Sequence, residues 1–145
     1  MVQIRYAEYD DYNLILKIDS SITENRWKCW TDNKQAVFVF LDGELAGWLQ
    51  YSLFAEKIPF VNRLYVFEKY QNNCLGTGLM KFWEFEMADR GYTQLMLSTE
   101  NTNTAQEFYK KLGFSEIGSF DFFGEHTEIL FGKKISRIHS CCCGK

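Results

Sequence analysis

A single proline, Pro59, stands in 145 residues. No stretch rich in proline, glycine or serine marks a linker. No apolar run approaches the roughly 18–20 residues that a membrane-spanning helix needs. Neither sign of charge dominates, because 16 basic and 19 acidic residues leave a formal net charge of −3. That balance argues against a nucleic-acid-binding stripe and against a membrane-surface helix. A disulfide framework is not expected either. The cysteines number 5, with Cys29 and Cys74 solitary and Cys141, Cys142 and Cys143 crowded near the end. Met1-Val2-Gln3-Ile4-Arg5 carries no long apolar stretch and reads as a strand, not a signal peptide. These absences together lead to the expectation of a cytoplasmic protein, with no nucleic acid or membrane as partner.

What the chain has in abundance is apolar and aromatic side chains. They make up 46% and 17% of the residues, with 13 Phe, 8 Tyr and 4 Trp, enough to bury a sizeable core. A single domain is expected over residues 1–135, followed by a flexible Cys-rich tail over 136–145. His139 with the three terminal cysteines can also be read as a metal-binding tract. The loose tail is preferred and no metal is expected. A prenylation signal starting at Cys142 would end in Lys145, which fits poorly.

The patterning alternates strand and helix. Val2–Ala7 is expected as a strand. A helix capped by Asp10 or Asp11 runs to about Asp19, with Leu14, Ile15 and Ile18 inward. Thr23–Asn33 is a second helix carrying Trp27 and Trp30. Ala36–Leu41 and Glu44–Phe54 are strands joined by Asp42-Gly43, a type I′ hairpin signal. Ile58–Phe67 is apolar on nearly both parities and is expected as a central strand covered on both faces. A helix after the loop 71–78 places Leu79, Phe82, Trp83 and Met87 inward and closes at Arg90 and Gly91. Then follow a strand Gln94–Ser98 and a helix with Thr104 and Glu107 at capping-box spacing. That helix carries Ala105, Phe108, Tyr109 and Leu112 on one face, with Lys110, Lys111 and Gly113 as stop signals. Strands Phe114–Phe120 and Glu128–Phe131 complete a mixed α/β sheet.

The loop Gln71-Asn72-Asn73-Cys74-Leu75-Gly76-Thr77-Gly78 leads from a strand into a helix. A helix start offers unpaired backbone N–H groups and the positive end of the helix dipole, so such a loop can cradle a phosphate. Loop geometry alone also explains two glycines. The loop is no Walker A motif, since Leu79 follows Gly78, and it lacks the three spaced glycines of a dinucleotide fingerprint.

Leu64-x-Val66, Gln71-x-x-x-x-Gly76-x-Gly78 and Ala105-x-x-Phe108-Tyr109-x-Lys111-x-Gly113-Phe114, in this order and spacing, resemble the GNAT superfamily of acetyl-CoA-dependent N-acetyltransferases. The resemblance is strong over about residues 60–120, looser before them and absent in the tail. It implies an α+β fold with a mixed, mostly antiparallel central sheet flanked by helices. It also implies acetyl-CoA as cosubstrate, an amine as acceptor, and a monomer or homodimer. Gln71, Asn72, Asn73, Cys74, Leu75, Gly76, Thr77 and Gly78 would hold the CoA pyrophosphate, with Thr77 and Gly78 entering the helix. Leu64, Tyr65 and Val66 would bond the pantetheine arm, and the next strand would splay away to admit the thioester. Tyr109 would face the sulfur and protonate the departing thiolate; alone it reads equally as a core aromatic. Cys74 replaces the first glycine of the family's loop. Thr102 stands where many members have Asn, which leaves Asn103 as the nearby candidate for a cofactor contact.

The implied reaction is direct attack of a primary amine on the thioester, through a tetrahedral intermediate. Alternatives are an acetyltransferase acting on protein amines and a non-catalytic acyl-CoA-binding regulatory protein. The strand 58–67 carries no acid to serve as base. A water chain, Glu56 or His126 remains, His126 reading more simply as an exposed loop residue; Tyr51 and Tyr65 are possible relays. In the family the first two helices and the last hairpin line the acceptor side. Here they carry Glu24, Trp27, Trp30, Asp32, Asp121, Phe122, Phe123 and Glu125, a pattern that suits a small cationic amine or simply a core with a solvated face. Truncation after Ile135 is expected to leave melting temperature and turnover unchanged. A large loss of folding in the truncated chain would refute the tail reading.

Overall fold

The computed structural model describes residues 1–102 and 104–136, and the expectations for Asn103 and for Cys141 to Cys143 lie outside them. The strands are β1 (Val2–Tyr6), β2 (Ala36–Leu41), β3 (Glu44–Phe54), β4 (Ile58–Val66), β5 (Gln94–Glu100), β6 (Ser115–Phe122) and β7 (His126–Lys134). The helices are α1 (Tyr12–Leu16), α2 (Glu24–Asp32), α3 (Leu75–Asp89) and α4 (Ala105–Lys111). The sheet order is β1-β2-β3-β4-β5-β7-β6. The β1–β2, β2–β3, β5–β7 and β6–β7 ladders are antiparallel, whereas β4 and β5 run parallel with Phe60 opposite Met96 and Val61 opposite Leu97. This is the mixed, mostly antiparallel sheet with flanking helices that the resemblance implies.

The chain forms two compact units, residues 1–51 with 63–83, and residues 52–62 with 84 onward. The first is built on aromatic packing. Ala36, Phe38 and Phe40 of β2 share one face and meet Ile15, Ile22, Trp27 and Trp48 in a buried cluster. Trp27 stacks on Phe38 at 5.9 Å, and its indole N–H donates to the Tyr9 carbonyl at 3.1 Å. Alternation sends Val37 and Val39 to the other face. In the same unit Tyr6 meets Phe82 of α3 at 5.5 Å and Tyr51 meets Trp83 at 5.8 Å. The hairpin after β2 has φ of 51° at Asp42 and 87° at Gly43, as a type I′ turn requires.

α2 is capped as its sequence suggests, with Thr23 Oγ1 accepting from the Arg26 N–H. α1 is far shorter than expected. A 3-10 turn over Tyr9–Asp11 replaces its first turn, because Asp11 accepts from the Glu8 N–H and pairs with Arg5. β4 is central in the sheet order, but the expectation of cover on both faces fails. Asn62 and Tyr65 are exposed, and Leu64 and Val66 are half-buried. Apolar residues on both parities therefore do not mean helices on both faces here.

In the second unit, Leu95, Leu97 and Phe131 are buried where β5 pairs β7, and Tyr109 of α4 lies 6.5 Å from Phe131. The Thr104 side chain makes no cap bond, so the capping-box reading fails, whereas Gly113 takes the left-handed stop conformation (φ 96°). Lys133 seals that helix end: its ammonium donates to the Leu112 carbonyl at 2.7 Å and to Glu84 at 2.8 Å.

One glycine is required by close approach. A Cβ on Gly47 of β3 would fall 2.5 Å from the Tyr65 carbonyl oxygen and 3.0 Å from the Val66 Cα. Both obstacles are backbone, so relief means moving β4 at Tyr65 and Val66. Gly47→Ala is expected to cost about 1–3 kcal/mol, the usual range for overpacking. Urea unfolding checks this, and an unchanged midpoint would contradict it.

Candidate active site

The loop after β4 is tied back to that strand. The Gln71 side-chain amide donates to the Val66 carbonyl at 3.0 Å, and Asn73 Nδ2 donates to the Tyr70 carbonyl at 3.0 Å. Asn72 and Cys74 take left-handed φ values of 72° and 60°. At Cys74 the chain therefore adopts the conformation of the glycine it replaces, at a cost of about 1 kcal/mol for an L side chain. The Cys74 side chain is exposed.

α3 begins at Leu75, earlier than the expected entry at Thr77 and Gly78. The Gly78 N–H donates to the Cys74 carbonyl at 3.1 Å, so the N–H groups of Leu75, Gly76 and Thr77 precede the first helical donor. Gly78 has a different task from the expected one. A Cβ there would meet the Ile4 side chain at 3.2 Å, so its small size serves packing on β1. The loop thus stands at the end of β4, tied to Val66 by Gln71, and among the described residues no partner is seen for the Leu75, Gly76 and Thr77 amides.

The second unit holds the other expected site residue. Tyr109 is 8% exposed, with its ring among Phe108, Phe114 and Phe131. No hydrogen bond to its hydroxyl is present among the described residues, and burial alone pushes its phenol up to about 12. β5 extends two residues past its expected end at Ser98, to Glu100, and this exposes a signal that the sequence hid. Among the described residues only Trp83 Nε1 and Thr99 Oγ1 are buried side-chain polar atoms without a partner. Thr99 sits opposite Ile129 and shares its sheet face with Leu97 and Phe131, the face on which Tyr109 packs. A buried hydroxyl left unpaired costs about 1–3 kcal/mol. Thr99, a buried hydroxyl without a partner among the described residues, thus lies on the face where Tyr109 packs.

His126 is not a loop residue. It opens β7, its side chain is 27% exposed, and its Nε2 lies 2.8 Å from Glu128 Oε2. Glu56 lies in the exposed turn before β4 with a φ of 64°. Tyr51 is buried against Trp83, whereas Tyr65 is exposed and edge-on to Phe67.

The acid-and-aromatic acceptor pattern comes apart. Glu24 accepts from the Tyr9 hydroxyl, Asp32 pairs with Lys28 at 2.8 Å, and Asp121 accepts from Thr127 at 2.9 Å. Trp27 is fully buried and Phe123 is 90% exposed. Trp30 is instead approached by cations, with the Arg26 and Arg63 guanidiniums 5.0 and 5.1 Å from its ring centre. Arg63 also lies 5.9 Å from the Trp48 ring, and its affinity for the proton is lowered by burial and then by Arg26.

Among the described residues no cluster of three or more His, Cys, Asp or Glu is placed to hold a metal, and no helix is long and apolar enough to cross a membrane.

The raised phenol has a measurable consequence. Folding favours the protonated form of Tyr109, so its contribution to stability is complete below pH 10 and is lost as pH rises from 10 towards 12. At about 1.4 kcal/mol per pKa unit, the loss approaches 3 kcal/mol. Urea midpoints at pH 9 and pH 11.5 are expected to fall further for the native chain than for Tyr109→Phe. Equal falls would contradict the assignment.

Comparison with known proteins bears on the family and the fold. The sequence model of the Acetyltransferase (GNAT) family matches residues 2–114. The spermine/spermidine N(1)-acetyltransferase of Bacillus subtilis is 28% identical over 126 residues, covering 75% of this chain and 81% of that protein. A GNAT-family acetyltransferase structure from Streptococcus pneumoniae superposes with a TM-score of 0.79 at 22% identity, over 94% of this chain and 100% of the other. PaiA N-acetyltransferase from Thermoplasma acidophilum, solved in complex with coenzyme A, gives a TM-score of 0.71 at 19% identity, over 93% and 99%. With the family model spanning most of its length, the chain belongs to the Acetyltransferase (GNAT) family, whose members are acetyl-CoA-dependent N-acetyltransferases.

Proposed function

We propose that this chain transfers the acetyl group of acetyl-CoA to a primary amine of a small molecule, by direct attack through a tetrahedral intermediate. The observation that carries the reading is the left-handed turn at Cys74, which starts α3 with the Leu75, Gly76 and Thr77 amides unpaired among the described residues. Those amides and the helix dipole suit a pyrophosphate. Leu64, Tyr65 and Val66 suit the pantetheine arm, because this half of β4 is incompletely covered. Gln71 and Asn73 brace the loop more than they bind, since their side chains are spent on backbone carbonyls.

Acetyl-CoA supplies an activated thioester; the chain supplies orientation and proton handling. A primary amine is mostly protonated at neutral pH and must lose a proton before it attacks. Backbone N–H groups of the strands then stabilise the oxyanion. Tyr109 aids departure of the sulfur. A phenol near 12 is a far weaker acid than a thiol at about 8.5, so Tyr109 acts first as a hydrogen-bond donor to the developing thiolate.

The name of the Bacillus subtilis relative supports a small amine as acceptor. One observation favours a variation on it. Arg26 and Arg63 converge on Trp30 while Glu24 and Asp32 are engaged elsewhere, which suits an amine that also carries an anionic group better than a polyamine. A panel of polyamines, amino acids, aminoglycosides and peptides, scored by acetyl-CoA consumption, separates these acceptors from protein amines.

CoA at millimolar concentration is expected to raise the melting temperature, because a ligand of the native state alone stabilises by mass action. No shift would sink the assignment. Tyr109→Phe is expected to slow transfer by roughly ten- to a thousandfold while CoA still binds. Undiminished turnover in the folded variant would refute its role. A flat panel with tight CoA binding would point to a non-catalytic acyl-CoA-binding regulator.

A further inference from the structure

β5 and β7 pair antiparallel, with Glu100 opposite Glu128, Thr99 opposite Ile129, Ser98 opposite Leu130 and Leu97 opposite Phe131. Paired residues share a face and neighbours alternate. Ser98, Glu128 and His126 therefore lie on one face, while Thr99, Ile129 and Phe131, with Tyr109 packed on them, lie on the other. On the first face Ser98 Oγ donates to Glu128 Oε1 at 2.7 Å, and His126 Nε2 lies 2.8 Å from Glu128 Oε2. Both carboxylate oxygens are thereby held, and the imidazole is oriented. The side chains of His126 and Glu128 are 27% and 17% exposed.

We propose that His126 and Glu128, held by Ser98, form the proton acceptor for the attacking amine, on the sheet face opposite Tyr109. The inference rests on the transferase reading above. At this low exposure the carboxylate fixes and supports the imidazole, and an imidazole backed by a carboxylate is a chemically competent base. The division also matches the needs of the reaction. Nitrogen gives up protons while sulfur takes one, and the acceptor and donor groups stand on opposite faces of the second unit.

The step balances without another reactant. The ammonium gives its first proton to the His126–Glu128 pair, and the freed nitrogen lone pair forms the bond to the thioester carbon. The nitrogen loses a second proton from the tetrahedral adduct. The carbon–sulfur bond breaks with its electron pair on sulfur, and sulfur takes up one proton. One proton is released to solvent for each amide formed.

The test uses the full chain and acetyl-CoA at pH 7.5, with three amines: spermidine, glutamate and trifluoroethylamine. The first two are protonated at that pH and the third is already neutral. Glu128→Gln and His126→Gln are expected to lower kcat for the protonated amine that the native chain accepts by roughly a hundredfold or more, the range for a lost general base. Ser98→Ala, a milder change, is expected to lower it several-fold. Transfer to trifluoroethylamine should fall far less, and the CoA-induced rise in Tm should persist in all three variants. Native turnover in variants that fold and bind CoA would overturn the proposal. An equal loss for neutral and protonated amines would overturn it too, because it would mark a structural role. If the native chain bound CoA but acetylated no amine, the transferase reading itself would fall and the pair's role with it. Should either strand variant fail to fold, Ser98→Ala decides the matter by the same comparison.

Discussion

An α-helix cannot satisfy its own first N–H groups, and the geometry of one such helix start organises the passage from β4 into α3. For α3 to present Leu75, Gly76 and Thr77 at the end of β4, the chain must reverse within a few residues. It does so through left-handed residues at Asn72 and Cys74. The Gln71 amide on the Val66 carbonyl fixes where the reversal starts, and the packing of Gly78 on Ile4 fixes where the helix goes. Gly47 lets β3 approach Tyr65 and Val66 closely, so the strand leading into the loop is held from its other side. The strain at Cys74 belongs to the same arrangement. A side chain is tolerated there because it points to solvent.

The second unit uses the alternation of a strand to separate two kinds of polar group. On one face Thr99 is buried without a hydrogen-bond partner among the described residues, and burial makes the Tyr109 phenol hard to ionise. On the other, Ser98, Glu128 and His126 satisfy one another. Because β5 contributes to both faces through adjacent residues, Ser98 and Thr99, a single strand carries both sets at its C-terminal end. A one-residue slip of β5 against β7 would exchange them, which is why the long, continuous register from Gln94 to Glu100 matters to the chemistry.

Much of this could be read from local sequence. The bounds of β2 and β3 and the Asp42-Gly43 turn follow from alternation and turn chemistry, and the loop-to-helix passage from its glycines and spacing. What escaped the reading depends on pairing partners distant in sequence. His-Thr-Glu-Ile-Leu-Phe-Gly-Lys-Lys has no strong period of its own, so β7 looked short and His126 looked like a loop residue. Only the ladder to β5 brings Glu128 to Ser98, 30 positions away. Thr99 lies beyond the Gln94–Ser98 span that local periodicity predicts for β5. The residues of the acid-and-aromatic acceptor pattern are dispersed for a related reason: its carboxylates find partners such as Tyr9, Lys28 and Thr127, and which acid finds which partner is a matter of packing.

The account stands on the α3 amides meeting a diphosphate. Amide hydrogen exchange of the full chain, followed by NMR with and without CoA, reads those groups individually. The account predicts that exchange at Leu75, Gly76 and Thr77 slows when CoA is added, with Tyr65 and Val66 following as the arm is bound. Unchanged exchange at all three helix-start amides, under conditions where CoA measurably stabilises the fold, would contradict it.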